Sequence, residues 1–142
     1  MLLPSTCPVC GAPGRAPCPS CAASLHRAPP LATPPGVDRV VALLAYEGVG
    51  RELVARTKYR NRRAALPWLA AAMAALVAGI DVDLVTWVPT TPARRRRRGF
   101  DQAELLARRV AARLRLPCRP LLHRLPGPAQ TGLPLAARRG AP

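Results

Sequence analysis

Val85-Thr86-Trp87-Val88-Pro89-Thr90-Thr91-Pro92-Ala93 runs into five consecutive arginines, Arg94, Arg95, Arg96, Arg97 and Arg98, and then into Gly99-Phe100-Asp101-Gln102-Ala103-Glu104-Leu105-Leu106. The order reads as a short buried strand, a turn, a basic loop and a capped helix. Asp101 can accept from amides of the first helical turn, and Glu104, three residues on, can reach back. A strand leading through a basic loop to a helix start is a sensible anion site. The helix start offers unpaired N–H groups and a positive dipole end, and arginine adds planar donors suited to phosphate oxygens. The plainer alternative is a solvated arginine run that meets polyanions without selectivity, so the flanking sequence has to decide.

Working outward, the helix continues from Gln102 to Leu114, with Ala103, Leu106, Ala107, Val110, Ala111 and Leu114 on one face. Pro117 stops it, and Cys118 to Leu122 is a short strand candidate. Upstream, Asp38 to Tyr46 is a near-continuous apolar run with β-branched residues at its start, the pattern of a strand covered on both faces. Gly48 and Gly50 turn the chain, and Arg51 to Tyr59 reads as a helix with a strongly basic end at Lys58, Arg60, Arg62 and Arg63. Those cations suit a helix C-terminus, and they are also candidates for contacting nucleic acid or another anion. A second helix is expected from Pro67 to Val77, ended by Gly79, before the strand Leu84 to Val88. The order strand–helix–helix–strand–loop–helix–strand implies an α/β domain with a largely parallel sheet. Residues 124–142 are rich in Gly and Pro and read as loop.

The N-terminal part is different in kind. Cys7-Pro8-Val9-Cys10 and Cys18-Pro19-Ser20-Cys21 are two C-x-x-C pairs. Each pair lets one tight turn present two thiolates to one ion, and two pairs complete a closed tetrahedral structural site for Zn2+. Two disulfides or a redox C-x-x-C are the alternatives. The first is disfavoured in a reducing compartment, and the second does not need another pair. The expected organisation is therefore a four-cysteine zinc module over residues 1–28, a proline-rich linker over 29–36 and the α/β domain over 37–142. Cys118 reads as a small buried hydrophobe, and His26 and His123 as loop residues without a catalytic constellation.

The net charge is +15, from 22 basic against 7 acidic residues, and Lys58 is the only lysine. That excess points to a polyanionic partner such as nucleic acid, a phosphorylated metabolite or an anionic surface. Aromatic residues make up 4% of the chain, so backbone contacts are expected to outweigh base stacking at any nucleic acid. There is no secretory pattern, and the apolar stretch Ala64 to Ile80 reads as a core helix rather than a membrane span. A cytoplasmic protein without a transmembrane segment is expected.

Several motifs follow one another in a fixed order. They are the cysteine pairs, Ala45-Tyr46-Glu47-Gly48, Arg51-Glu52-Leu53, Lys58-Tyr59-Arg60, Val88-Pro89, Arg94 through Leu106, and Gln130-Thr131-Gly132-Leu133 with Arg138. Together they resemble the ComF family of competence-associated, phosphoribosyltransferase-like proteins, over nearly the whole chain. The resemblance implies a small zinc-ribbon-like module joined to a type I phosphoribosyltransferase-like core, and an association with DNA uptake and the competence machinery. It implies that Arg94, Arg95, Arg96, Arg97, Arg98, Gly99 and Gln102 belong to the loop that holds the pyrophosphate of phosphoribosyl pyrophosphate, which brings Mg2+ with it. It places Arg124, Gln130 and Arg138 in a flexible loop that closes over the site. Asp101 stands where Asn is usual after Gly-Phe.

The family's main ribose-binding motif, Asp-Asp-x-x-Thr-Thr-Gly, does not occur in these residues. The expectation is thus an incomplete core, a C-terminally truncated member that is not catalytically complete as this chain. Single-stranded-DNA binding without sequence preference is the alternative function, and a nonfunctional remnant is the plainest one.

Overall fold

The computed structural model describes residues 5–59 and 63–125. Five α-helices are found among them: α1 (Pro19–Ala23), α2 (Gly48–Tyr59), α3 (Leu66–Leu76), α4 (Pro92–Arg98) and α5 (Gln102–Leu114). A 3-10 turn, Arg63–Ala65, leads into α3. Extended pairing among the described residues is limited to two isolated bridges, Thr6 with Pro13 (antiparallel) and Val85 with Cys118 (parallel).

Helices α3 and α5 form the centre, because alanines on both let their backbones approach. Ala70 and Ala74 of α3 meet Val110 of α5, with Leu106 and Leu114 closing the sides. A second cluster forms where Leu53 of α2 meets Ala65 and Leu69, and Trp68, Leu43, Leu44 and Leu106 pack around it. Val9 and Leu25 from the cysteine-rich segment pack against this same cluster. Leu53 is fully buried, so Leu53→Ala is expected to cost about 2–5 kcal/mol. A urea midpoint that does not move would contradict this packing.

The expectations from sequence fare unevenly. Helix α5 has the bounds read from its periodicity, and α3 is displaced by one residue. Helix α2 begins at Gly48, so Gly48 and Gly50 lie inside the first turn rather than before it. A Cβ on Gly50 would stand 2.5 Å from the Ala45 carbonyl oxygen, so only glycine lets the helix start this close to the preceding chain. The strand expected over Asp38 to Tyr46 is not formed. Leu43 and Leu44 reach the core, but Val37 and Val41 stay about half exposed. A strand needs a neighbour for its ladder groups, and between Asp38 and Leu44 no backbone hydrogen bond to another described residue is made.

The segments expected as strands at 84–88 and 118–122 do meet, in parallel, over a single bridge. Val85 donates to Pro117 O (2.9 Å) and accepts from Arg119 N (3.0 Å). The Thr86 hydroxyl accepts from Leu121 N (3.3 Å).

Candidate functional site

The four cysteines are brought together by two different turns. The first pair sits on a tight loop in which Gly11 N donates to Cys7 O (2.9 Å) and Cys7 N donates to Ala12 O (2.8 Å). The second pair straddles the start of α1, where Ala22 N donates to Cys18 O (2.8 Å) and Pro19 occupies the first turn. All four Sγ atoms lie within 4.8 Å of one another, with Cys10 and Cys18 at 3.6 Å. Around a zinc ion with Zn–S bonds of about 2.3 Å, tetrahedral sulfurs are spaced by about 3.8 Å. The donor set and its spacing therefore fit a metal ion such as zinc, held by Cys7, Cys10, Cys18 and Cys21.

The thiols are electrostatically unequal. Burial pushes the Cys7 thiol up, but the amides of Cys10, Cys18 and Val9 that face its sulfur outweigh this and bring it down to about 6. Desolvation raises Cys21 to about 12, helped by the neighbouring sulfurs and the charge on Cys7. One ligand is thus a thiolate near neutral pH, and a dication would draw the remaining protons off.

The arginine run corrects the expectation of a basic loop: it is helix α4. Thr91 caps it, its hydroxyl accepting from Arg94 N (3.2 Å), and Pro92 takes the first turn. Gly99 ends it in the left-handed region at φ 76°, its amide donating to Arg95 O (2.8 Å). A helix turns about 100° per residue, so the five guanidinium groups fan out around α4 instead of converging on one point.

Two of them are held from α5: Arg98 Nη1 donates to Gln102 Oε1 (2.9 Å), and Arg95 Nη2 lies 3.7 Å from Glu104 Oε2. Arg94 and Arg98 are half-buried, whereas Arg95, Arg96 and Arg97 are exposed. Arg96 and Arg97 make no side-chain hydrogen bond or ion pair with another described residue.

Asp101 does more than its place at a helix start implies. It is 4% exposed, and its two carboxylate oxygens accept from Ala103 N (3.0 Å) and from Thr90 N (2.7 Å). It caps α5 as expected and also ties the end of the Val85–Val88 segment to that helix. Glu104 does not reach back to complete a capping box. Its carboxylate accepts instead from Arg108 (3.0 and 2.9 Å) and pairs with Arg95. One amide of the α5 start is therefore served by the chain's own carboxylate, with the α4 side chains beside it.

Arg63 joins this surface from 31 to 35 positions earlier in the chain. Its guanidinium lies 4.9 Å from the centroid of Phe100, which is buried between α4 and α5. Lys58 is half-buried near the end of α2, and Arg124 is exposed. Arg60, Arg62, Gln130 and Arg138 lie outside the described residues. The Thr91-Pro92 start and Gly99 stop of α4 are legible signals, but the Arg63–Phe100 contact has no local signature.

Compared with known proteins, the chain matches no family model, no curated protein and no solved structure. Among the described residues no helix is long and apolar enough to cross a membrane.

Proposed function

We propose that this chain is an anion-binding protein of the phosphoribosyltransferase class, with its diphosphate contacts on α4 and the turn that follows. Within that class, the ordered motifs make it a ComF-like protein associated with DNA uptake, carrying a structural zinc in its N-terminal module. The observation that supports this most is the parallel contact of Val85 with Cys118, with α4 and α5 between them in sequence. A single bridge of this kind is compatible with a strand–helix–strand crossover, and α4 follows the carboxyl end of the Val85 segment. In open α/β sheets ligands bind outside the carboxyl ends of the strands.

Arg94 to Arg98 with Gly99 and Gln102 would hold the diphosphate end of phosphoribosyl pyrophosphate, which arrives with Mg2+. Asp-Asp-x-x-Thr-Thr-Gly, the motif that would contact the ribose, is not among these residues, so what is proposed for them is diphosphate binding. We place the chain in the cytoplasm, where paired cysteines stay reduced and open to a metal ion. Isothermal titration with phosphoribosyl pyrophosphate and Mg2+ tests the site. Affinity is expected to fall at least about tenfold when Arg94–Arg98 are replaced by Ala, and binding that survives the replacement would sink it.

A second reading has its own observation. The arginines fan around α4, and Arg63 is brought beside them, which suits an extended polyanion better than a single diphosphate. On this reading single-stranded DNA binds without sequence preference, and affinity falls by about 10-fold or more between 50 and 200 mM salt. Affinity unchanged over that range would exclude it.

A further inference from the structure

The turn between α4 and α5 carries a guanidinium that neither helix supplies. Arg63 opens the 3-10 turn that leads into α3, and its side chain lies over the ring of Phe100, 4.9 Å from the centroid. Phe100 is buried and stands between Gly99, which ends α4, and Asp101, which caps α5. The turn that carries Arg63 is itself anchored, because Ala65 at its end is fully buried in the cluster of Leu53 and Leu69. The backbone of Arg63 is thus fixed by Ala65 and its guanidinium by Phe100.

A stacked guanidinium keeps its capacity to donate. Its five N–H donors lie in the plane of the group, and an aromatic ring covers only a face. Arg63 is exposed and makes no hydrogen bond or ion pair with another described residue. The nearby carboxylates are engaged elsewhere: Asp101 accepts from the amides of Thr90 and Ala103, and Glu104 is paired with Arg108 and Arg95. A second guanidinium reaches the same turn from α4, since Arg98 Nη1 donates to Gln102 Oε1 (2.9 Å). We propose that Arg63 is a phosphate-contacting residue of this site, pre-organised by Phe100 to donate its planar fork to one phosphate group. The inference rests on the reading of α4 as a diphosphate site, and it adds a contact from an element outside the α4–α5 segment. Stacking settles in advance the side-chain freedom that a solvated arginine would lose on binding. The plainer role, a cover over Phe100, needs only the alkyl stem and not the donors.

The test is isothermal titration of inorganic pyrophosphate with Mg2+ into the whole 142-residue chain and three variants. Arg63→Met keeps an apolar stem over Phe100 and removes the donors. Arg63→Lys keeps the charge and removes the planar fork. Arg113→Met removes an exposed charge from the far end of α5, about 16 Å from Gln102 along the helix. Arg63→Met is expected to lower affinity about tenfold with Tm unchanged, and Arg63→Lys to bind about threefold more weakly than the parent chain. Arg113→Met, beyond the Debye length of about 8 Å at 0.15 M salt, is expected to stay within about twofold of the parent. In the parent chain the Arg63 Nε–Hε NMR signal is expected to shift in step with saturation.

Arg63→Met binding as tightly as the parent chain, or an Arg63 signal that stays still at saturation, would overturn the proposal while leaving the α4 reading intact. So would equal losses in Arg63→Met and Arg113→Met, which mark a diffuse charge effect, or Arg63→Lys matching the parent, which needs no fork. A loss confined to single-stranded DNA would overturn it in favour of the extended polyanion. If the parent chain itself does not saturate with pyrophosphate, the α4 reading fails and this contact fails with it.

Discussion

With zinc held by Cys7, Cys10, Cys18 and Cys21 as proposed, a strong chelator is expected to abolish the order of residues 5–25 and to weaken the core beyond them. Structural zinc contributes on the order of 10 kcal/mol to the fold of small modules. Here the segment has little core of its own, and its main apolar contacts, Val9 and Leu25, are made with the Leu53, Ala65 and Leu69 cluster. Metal loss therefore removes one side of that cluster. Cys7→Ser, at a fully buried sulfur, is expected to act like the chelator, giving less than one zinc per chain and a lower Tm. A metal-free protein with the Tm and near-UV circular dichroism of the untreated one would contradict this.

The second large effect is at Asp101. Asp101→Ala removes the α5 cap, worth about 1 kcal/mol, and leaves the Thr90 amide without its acceptor, worth about 1–3 kcal/mol more. A loss of about 2–4 kcal/mol is expected. Asp101→Asn keeps an acceptor oxygen at the cap and removes one negative charge beside α4. Its NH2 group takes the place of the second oxygen and faces the Thr90 N–H, so a loss of about 1–3 kcal/mol is expected, while affinity for inorganic pyrophosphate should rise roughly threefold. If Asp101→Asn lowers that affinity while the fold is intact, anions are not held beside α5.

These two sites show what the sequence made legible. Helix α5 was readable to the residue because its signals agree: an Asp cap, an apolar face at helical spacing and Pro117 beyond its end. The cysteine cluster was readable because its chemistry is local, with each pair on its own turn.

Helix α4 was not, because five arginines have no apolar period and suggest a solvated loop. The Thr91-Pro92 start and the Gly99 stop carried the information instead. The expected strand at Asp38 to Tyr46 failed for the converse reason. Its apolar run is real, but a strand depends on neighbours far along the chain, and no described segment lies beside it to complete the ladder. The dual role of Asp101 was half legible: the cap follows from spacing, but the Thr90 contact across 11 residues does not.

The central claim is that phosphate oxygens are held by α4 and the turn after it, not by basic charge spread over the molecule. Titrating inorganic pyrophosphate with Mg2+ while following the backbone amide NMR signals tests this directly. Saturable one-to-one shifts concentrated from Arg94 to Gln102 are expected, with Thr90 and Asp101 following. Shifts of similar size on the other arginine-bearing segments, such as Arg51–Lys58 and Arg108–Arg115, without saturation, would contradict it.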